Sequence, residues 1–232
     1  MDTPRTATKA PPEETRRLRM TYEEFLAWAD EDVHAEWEDG EVIIFMPPKT
    51  RHQDIGGFLY ALLRFFVDFF QLGKVLTAPF EVKVDPDSPA REPDILFVAQ
   101  ENLNRLTEER LIGPADLIVE LISDDSMSRD RGRKFREYQE AGVREYWIID
   151  PRPGTEQADF WVLDEQGRYR SLPIGDDGIY RSTVIPGFWL NVNWLGAGPL
   201  PDPQLTFAEL AGFPPEVLAK MQELKEKASR AE

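Results

Sequence analysis

Apolar side chains recur at helical spacing over one long stretch of the chain, residues 51–72. The recurring positions are Ile55, Phe58, Leu59, Leu62, Phe66 and Phe69. Intervals of three and four residues predict a helix with an apolar, core-facing side, and Gly73 is expected to end it. Further helices are predicted at residues 128–141, closed by Gly142, and at residues 215–227. A capping box of Thr21 and Glu24 predicts a short helix that ends near Trp28.

Two short runs, residues 116–122 and 145–149, are apolar almost throughout. Such runs are typical of strands that are buried on both faces of a sheet. Further strands are predicted at residues 41–46, 79–84 and 94–98, with a loop at residues 85–89. Three short ones at residues 159–163, 168–172 and 180–184 suggest an antiparallel C-terminal extension. This order predicts a mixed β-sheet flanked by helices, an α/β or α+β fold.

Composition divides the chain into three predicted segments. Residues 1–19 are rich in Pro, Thr and charge, which favours a flexible tail. Residues 20–195 are expected to form one domain, since a chain of 232 residues suits a single large core. Residues 196–232 are interpreted as a Pro- and Gly-rich linker, residues 196–203, followed by the C-terminal helix.

Composition also limits where the protein works and what it binds. The chain has no Cys, so it lacks disulfides and thiolate ligands, which fits a reducing compartment. No signal peptide or membrane span is recognisable, and a cytoplasmic location is expected. The net charge of −16 counts against a general nucleic-acid binder, which normally carries a basic surface. Basic side chains are nevertheless concentrated at residues 129–136, so a nuclease remains possible.

Two acidic residues lie at apolar strands and are the strongest candidates for chemistry. Glu120 stands in the middle of a buried run, where an ionised carboxylate needs a cation or strong hydrogen bonds. Asp94 follows Pro93 and opens another apolar strand. Neighbouring strands would bring the two carboxylates together, and hard oxygen ligands favour Mg²⁺ or Mn²⁺. The chain has no P-loop, no dinucleotide-binding glycine turn, no HExxH and no nucleophile elbow.

A cation near Glu120 is expected from the helix that follows it. Ile118, Glu120 and Ile122 share one face of their strand, and the apolar Ile122 offers no charge there. Lys134, on the predicted helix that follows, is the nearest cation able to take that place. Asp130, Lys134 and Tyr138 are four residues apart and would share one helix face.

Together these residues resemble the PD-(D/E)XK nuclease superfamily, in the variant whose Lys has moved to the following helix. More specifically, the chain resembles the Uma2 family, also called DUF820, of restriction-endonuclease-like proteins. The resemblance covers about residues 20–195. The matching segments are Thr21-Tyr-Glu-Glu-Phe25, Glu36 with Asp39-Gly-Glu41, Arg51-His52, Pro93-Asp-Ile95, Asp116-Leu-Ile-Val-Glu120 with Leu121, Asp130-Arg-Gly-Arg-Lys134, and Gly142-Val-Arg-Glu-Tyr-Trp-Ile-Ile-Asp150.

The resemblance implies a restriction-endonuclease-like domain with Asp94 and Glu120 as Mg²⁺ ligands. It implies Lys134 as the charge stabiliser and Glu36 as an auxiliary acid from the N-terminal region. The chain departs from the family at residues 123–126, where Ser-Asp-Asp-Ser adds two acids that would repel a phosphate substrate.

Four further residues are candidates for substrate binding: His52, Arg129, Arg131 and Tyr138. For most of the candidates an ordinary structural role is also open. Glu120 could be a buried acid paired with Arg, Asp94 a turn cap, and Lys134 a solvated helix residue. His52 could simply flank the long helix, and the basic stretch could be a solvated face.

Three functions follow as hypotheses. The first is a Mg²⁺- or Mn²⁺-dependent endonuclease acting on DNA, as a homodimer that reaches both strands. The second is a catalytically inactive interaction module on a nuclease scaffold, since a fold does not fix its function. The third is a metal-dependent hydrolase of a smaller phosphate ester.

Overall fold

A computed structural model describes residues 17–29, 35–44, 49–84, 88–123, 129–152, 154, 157–196 and 198–229. The strands are β1 (Arg17–Arg19), β2 (Ala35–Glu38), β3 (Glu41–Ile44), β4 (Gly73–Thr77), β5 (Glu81–Lys83), β6 (Ala90–Arg91), β7 (Ile95–Ala99), β8 (Arg110–Ile112), β9 (Leu117–Leu121), β10 (Glu145–Asp150), β11 (Gln157–Leu163), β12 (Tyr169–Ser171), β13 (Ile179–Arg181) and β14 (Trp189–Asn191). The α-helices are α1 (Tyr22–Trp28), α2 (Thr50–Phe70), α3 (Phe135–Ala141), α4 (Pro203–Leu210) and α5 (Pro215–Ser229). Short 3₁₀ helices span Gln100–Arg105 and Val192–Leu195, and a π-helical turn spans Arg129–Lys134. None of the helices within these ranges is both long and apolar enough to cross a membrane.

The larger core is built on a six-stranded mixed sheet in the order β12-β11-β10-β9-β7-β4. Strands β9 and β10 are parallel, and the π-helical turn and α3 connect them. The other neighbours in this sheet pair antiparallel. The predicted antiparallel C-terminal extension is confirmed for β11 and β12, whereas the third predicted strand forms β13 and pairs with β14 in a separate two-stranded sheet.

Side chains cover both faces of this sheet. On one face Trp147, Phe160 and Leu121 pack with α2, α4 and the small β13-β14 sheet. On the other face Ile118 and Tyr146 pack with α3 and with β5 and β8 of a second sheet. Strands β9 and β10 are therefore buried on both sides, as their continuous apolar sequences predict.

The second sheet has the order β1-β3-β2-β6-β5-β8, with β5 and β8 parallel. Its β2 and β6 carry Glu36, Glu38 and Arg91, all of which are buried. Phe25 of helix α1 packs against Ala35 and Val42 of this sheet and forms a small apolar cluster with them. This sheet brings charged side chains against the start of α3.

Several local predictions are confirmed. Thr21 and Glu24 form the predicted capping box at the start of α1. Gly142 ends α3 in the left-handed conformation, with φ 85°. The C-terminal helix also forms, as α5.

The end of α2 differs from the prediction. The residue that ends the helix is Gln71, in the left-handed conformation at φ 55°. Gly73 instead opens β4, a strand that the sequence did not predict. A Cβ on Gly73 would lie 2.1 Å from the Val98 carbonyl oxygen, so close strand pairing explains this glycine. The predicted strand at residues 79–84 is confirmed only as the shorter β5.

Other boundaries also moved. The helix predicted at residues 128–141 is π-helical up to Lys134 and α-helical only from Phe135, and Ser128 lies outside the described residues. Residues 17–19, assigned to the tail, pair with β3 as β1. Strand β14 and helix α4 were not predicted, and α4 takes residue 203 from the predicted linker. The loop at residues 85–87 and the acids Asp124 and Asp125 lie outside the described part of the chain.

Candidate active site

Asp94 and Glu120 occupy neighbouring positions in the register of two paired strands. Ile95 faces Val119 across the antiparallel pair β7-β9. One more step of this register places Asp94 opposite Glu120, and residues opposite each other project from the same side of a sheet. The Leu121 amide donates a hydrogen bond of 2.7 Å to Asp94 Oδ2, which ties the aspartate to the end of β9.

Glu120 is a buried carboxylate with strong partners. It is 4% exposed. Lys134 Nζ donates to its Oε1 at 3.0 Å, and the Tyr138 hydroxyl donates to the same oxygen at 2.9 Å. An opposite charge and a buried donor together offset the cost of removing this carboxylate from water.

Lys134 is also buried, at 4% exposure, so the alternative of a solvated helix lysine does not hold. It stands at the end of the π-helical turn, where α3 begins. Its Nζ lies 2.8 Å from Glu36 Oε1 as well as 3.0 Å from Glu120 Oε1. The lysine therefore links β9 of the first sheet to β2 of the second sheet.

Glu36 is held by two cations. Its Oε2 accepts a 3.1 Å hydrogen bond from Arg91, and its Oε1 is paired with Lys134. Burial works to raise the pKa of Glu36, but Lys134 and Arg91 outweigh it and hold that pKa below the usual value. Glu36 is therefore ionised at neutral pH, although its side chain is fully buried.

Two neighbouring groups stay protonated at neutral pH. Burial raises the pKa of Tyr138 well above its usual value, and Glu120 and Glu36 raise it further. Tyr138 thus remains a hydrogen-bond donor to Glu120. Burial, together with Glu36 and Glu81, raises the pKa of Glu92 to about 8.

The sequence assigned no role to Arg91, Glu38 or Glu137. Arg91 binds both other residues as well as Glu36, and Arg133 pairs with Glu38 from the π-helical turn. The only sequence signal was the position of Arg91, three residues before Asp94. Exposure is the default for Arg, so its burial could not be read from the sequence.

The four predicted substrate-binding residues are placed differently from one another. His52 Nε2 lies 3.0 Å from the Leu121 carbonyl oxygen and 3.9 Å from Asp94 Oδ2, beside the site. Arg131 is partly exposed and pairs with Asp159 at 2.6 Å. Tyr138 is buried behind Glu120, a position that favours holding Glu120 over touching substrate. The side chains of Arg129 and Asp130 lie outside the described part of the structure.

Asp94 and Glu120 are suited in their chemistry to a hard divalent cation. Among the described residues, no three side chains of His, Cys, Asp or Glu are grouped as a metal site. Mg²⁺ commonly takes only one or two carboxylates and completes its shell with water and substrate phosphate oxygens. Two carboxylates at one sheet edge therefore fit such an ion.

Comparison with protein-family models shows which family this chain belongs to. Residues 22–193 match the model of a family described as "Uma2: Putative restriction endonuclease". This chain belongs to the Uma2 family. All of the candidate residues above fall within the matched range.

The Uma2 fold is also found in a solved structure. It is described as a putative nuclease belonging to DUF820 from Anabaena variabilis. The match has a TM-score of 0.62 at 16% sequence identity, and it covers 76% of this chain and 97% of the other. The predicted mixed α/β fold is thereby confirmed. No curated protein shows significant sequence similarity to this chain.

Proposed function

We propose that this Uma2 protein is an endonuclease that hydrolyses DNA phosphodiester bonds with the help of Mg²⁺ or Mn²⁺. The observation that carries the proposal is Lys134 Nζ, 3.0 Å from the buried Glu120. Asp94 stands across the strand pair from this glutamate. Membership of a family described as restriction endonucleases supports the choice of a nuclease.

The formal charges of the site leave room for a divalent cation. Glu36 and Glu120 are paired with Lys134, Glu38 and Glu137 with Arg91, and Arg133 with Glu38. With Asp94, these described residues contribute five carboxylates and three cations, which leaves two negative charges. One divalent ion held by Asp94 and Glu120 would neutralise this excess.

A divalent cation bound there would polarise a phosphate oxygen and make a water molecule more acidic. The chain's own groups provide the orientation. The Leu121 amide fixes Asp94, and Tyr138 fixes Glu120. Lys134 places a positive charge beside these acids, where it would stabilise negative charge that builds up on the phosphate in the transition state.

Glu36 serves in this proposal as the auxiliary acid that holds Lys134. His52 lies beside Asp94 and would contact the substrate backbone, together with Arg129 and Arg131. Arg131 would have to leave Asp159 to do so. DNA as substrate agrees with the cytoplasmic location expected from the sequence.

The proposal includes a homodimer, because two sites are needed to cut both strands at once. Helix α2 exposes part of Phe65, Phe69 and Phe70, which would offer apolar area for such an interface. Light scattering that gives only the monomer mass at micromolar concentration, with and without DNA, would remove the dimer and leave the site unaffected.

Plasmid cleavage in Mg²⁺ and in Mn²⁺ tests the proposal. Asp94→Asn and Glu120→Gln keep size and remove charge, and each is expected to slow cleavage at least about 100-fold. Asp116→Asn is the matched control, since Asp116 is a buried acid next to the same strand but bonds to Ala99 and Asn102. Circular dichroism verifies that every variant folds.

Three results would contradict either the assigned site or the endonuclease activity. Cleavage that persists in both site variants would place the chemistry elsewhere. A wild-type protein that cuts no DNA in either metal would favour the inactive interaction module. Hydrolysis of a small phosphodiester without DNA cleavage would favour the hydrolase of smaller esters.

A further inference from the structure

Arg91 is a buried arginine that binds three glutamates from two separate elements. It is 3% exposed. Its guanidinium donates to Glu36 at 3.1 Å and to Glu38 at 2.9 Å, both on β2. It also donates twice to Glu137 on α3, each time at 2.9 Å. The arginine therefore links the second sheet to the helix that follows Lys134.

Such a pattern of bonds requires arginine. Its planar guanidinium offers five donors at fixed angles and can serve several carboxylates at once, whereas lysine is a single point charge. The cost of burying the guanidinium is offset only when its partners are well placed. Glu36 and Glu137 outweigh the effect of burial and raise the pKa of Arg91.

Two connections run from Arg91 to Lys134. The first is Glu36, which accepts from Arg91 with Oε2 and pairs with Lys134 through Oε1. The second is Glu137, which lies three residues after Lys134 and fixes α3 against Arg91. One connection acts on the lysine side chain and the other on the backbone that carries it.

We propose that Arg91 is a positioning residue that holds Lys134 against Glu120 through Glu36 and Glu137. The inference rests on the proposed function for its catalytic consequence. Because Arg91 is buried, it would not touch the substrate itself. Its loss would leave the binding of DNA intact and weaken the placement of the lysine charge.

The test compares Arg91→Lys with wild type in two measurements. The first is the rate at which an acylating reagent modifies Lys134 in metal-free protein, followed by mass spectrometry from pH 7 to 9. Lys134 is buried between two glutamates, so it should react slowly in the wild type. Without a firmly held Glu36, its modification should become at least about 10-fold faster. The second is DNA cleavage, in which kcat should fall about 10-fold to 100-fold, with KM nearly unchanged.

Two controls separate positioning from general destabilisation. Arg110→Lys alters a different arginine, which is partly buried and pairs with Glu81 and Tyr22, and it should leave Lys134 modification at the wild-type rate. Lys83 is a buried lysine in the second sheet and serves as an internal reference. If Arg91→Lys merely loosened the whole fold, modification of Lys83 would accelerate as much as that of Lys134, which would overturn the proposal.

A milder variant covers the case in which Arg91→Lys does not fold. Glu137→Gln removes one charged partner at a position where the side chain is 25% exposed. It should accelerate Lys134 modification in the same direction but by less. Wild-type rates of Lys134 modification in every folded variant would overturn the role of Arg91. A wild-type protein that cuts no DNA would overturn only the proposed function, because the modification measurement needs no activity.

Discussion

Lys134 and Glu120 are separated by 14 positions in sequence, yet Lys134 Nζ and Glu120 Oε1 lie 3.0 Å apart. The glutamate projects from the middle of β9, and the lysine stands where the π-helical turn becomes α3. Turns of this kind are rare and are frequently found at functional sites. The contact gives the buried Glu120 a counter-charge that the apolar residues of its own strand cannot supply.

The ion pairs of Lys134 should couple strongly to stability. Lys134→Met would leave Glu36 and Glu120 without a shared counter-ion and should lower the free energy of unfolding by about 3–5 kcal/mol. Combined with Glu36→Gln, the loss should be smaller than the sum of the single changes by about 1–3 kcal/mol. Urea denaturation of the wild type, the two single variants and the double variant measures this coupling free energy. Additive losses would mean that the 2.8 Å contact between Lys134 and Glu36 contributes nothing.

Glu36 should also make stability depend on pH in the acid range. Its pKa in the folded protein lies below the usual 4.5, held there by Lys134 and Arg91 against the effect of burial. The unfolded chain therefore binds the proton more readily. The stabilisation is present above pH 4.5 and is lost as the pH falls through the folded pKa.

Glu36→Gln provides the comparison for this effect. The other acids of the chain titrate in both proteins, so they largely cancel in the difference. Wild type should lose more stability than Glu36→Gln between pH 6 and pH 3.5 in urea titrations. Equal losses would show that Glu36 titrates alike in the folded and unfolded chains.

The sequence predicted best those elements that one local signal specifies. The capping box at Thr21 and the left-handed Gly142 work through adjacent backbone groups, so neighbouring residues suffice to recognise them. Strands β9 and β10 were recognisable because both faces are buried. Strand β4 and helix α4 were missed since their short sequences become ordered through contacts with β7 and α2, which are distant in sequence.

Gly73 illustrates how a correct residue signal received the wrong interpretation. It was expected to cap α2. Instead it lies in β4 with φ 150° and packs tightly against the backbone of Val98 in the neighbouring strand β7. Gly73→Ala should therefore lower the free energy of unfolding by about 2 kcal/mol or more. Gln71→Gly, at the true left-handed cap, should raise stability by about 0.5–1 kcal/mol. Thermal unfolding of both variants tests the assignment, and the opposite order of effects would contradict it.

The candidate site was predictable only in part, for a similar reason. Asp94, Glu120 and Lys134 stood out because acids in apolar strands need a counter-charge. The contact between Glu36 and Lys134 depends on how the second sheet packs against α3. Arg91 had no signal of its own, since its three partners come from positions 36, 38 and 137.

Calorimetric titration of metal-free protein with Mn²⁺ tests most directly whether Asp94 and Glu120 together hold a divalent ion. Wild type and Asp116→Asn should each take up one Mn²⁺ ion per chain by millimolar concentration. Asp94→Asn and Glu120→Gln should show no such uptake while remaining folded. Undiminished binding in both site variants, or no binding by the wild type even with DNA present, would contradict the account.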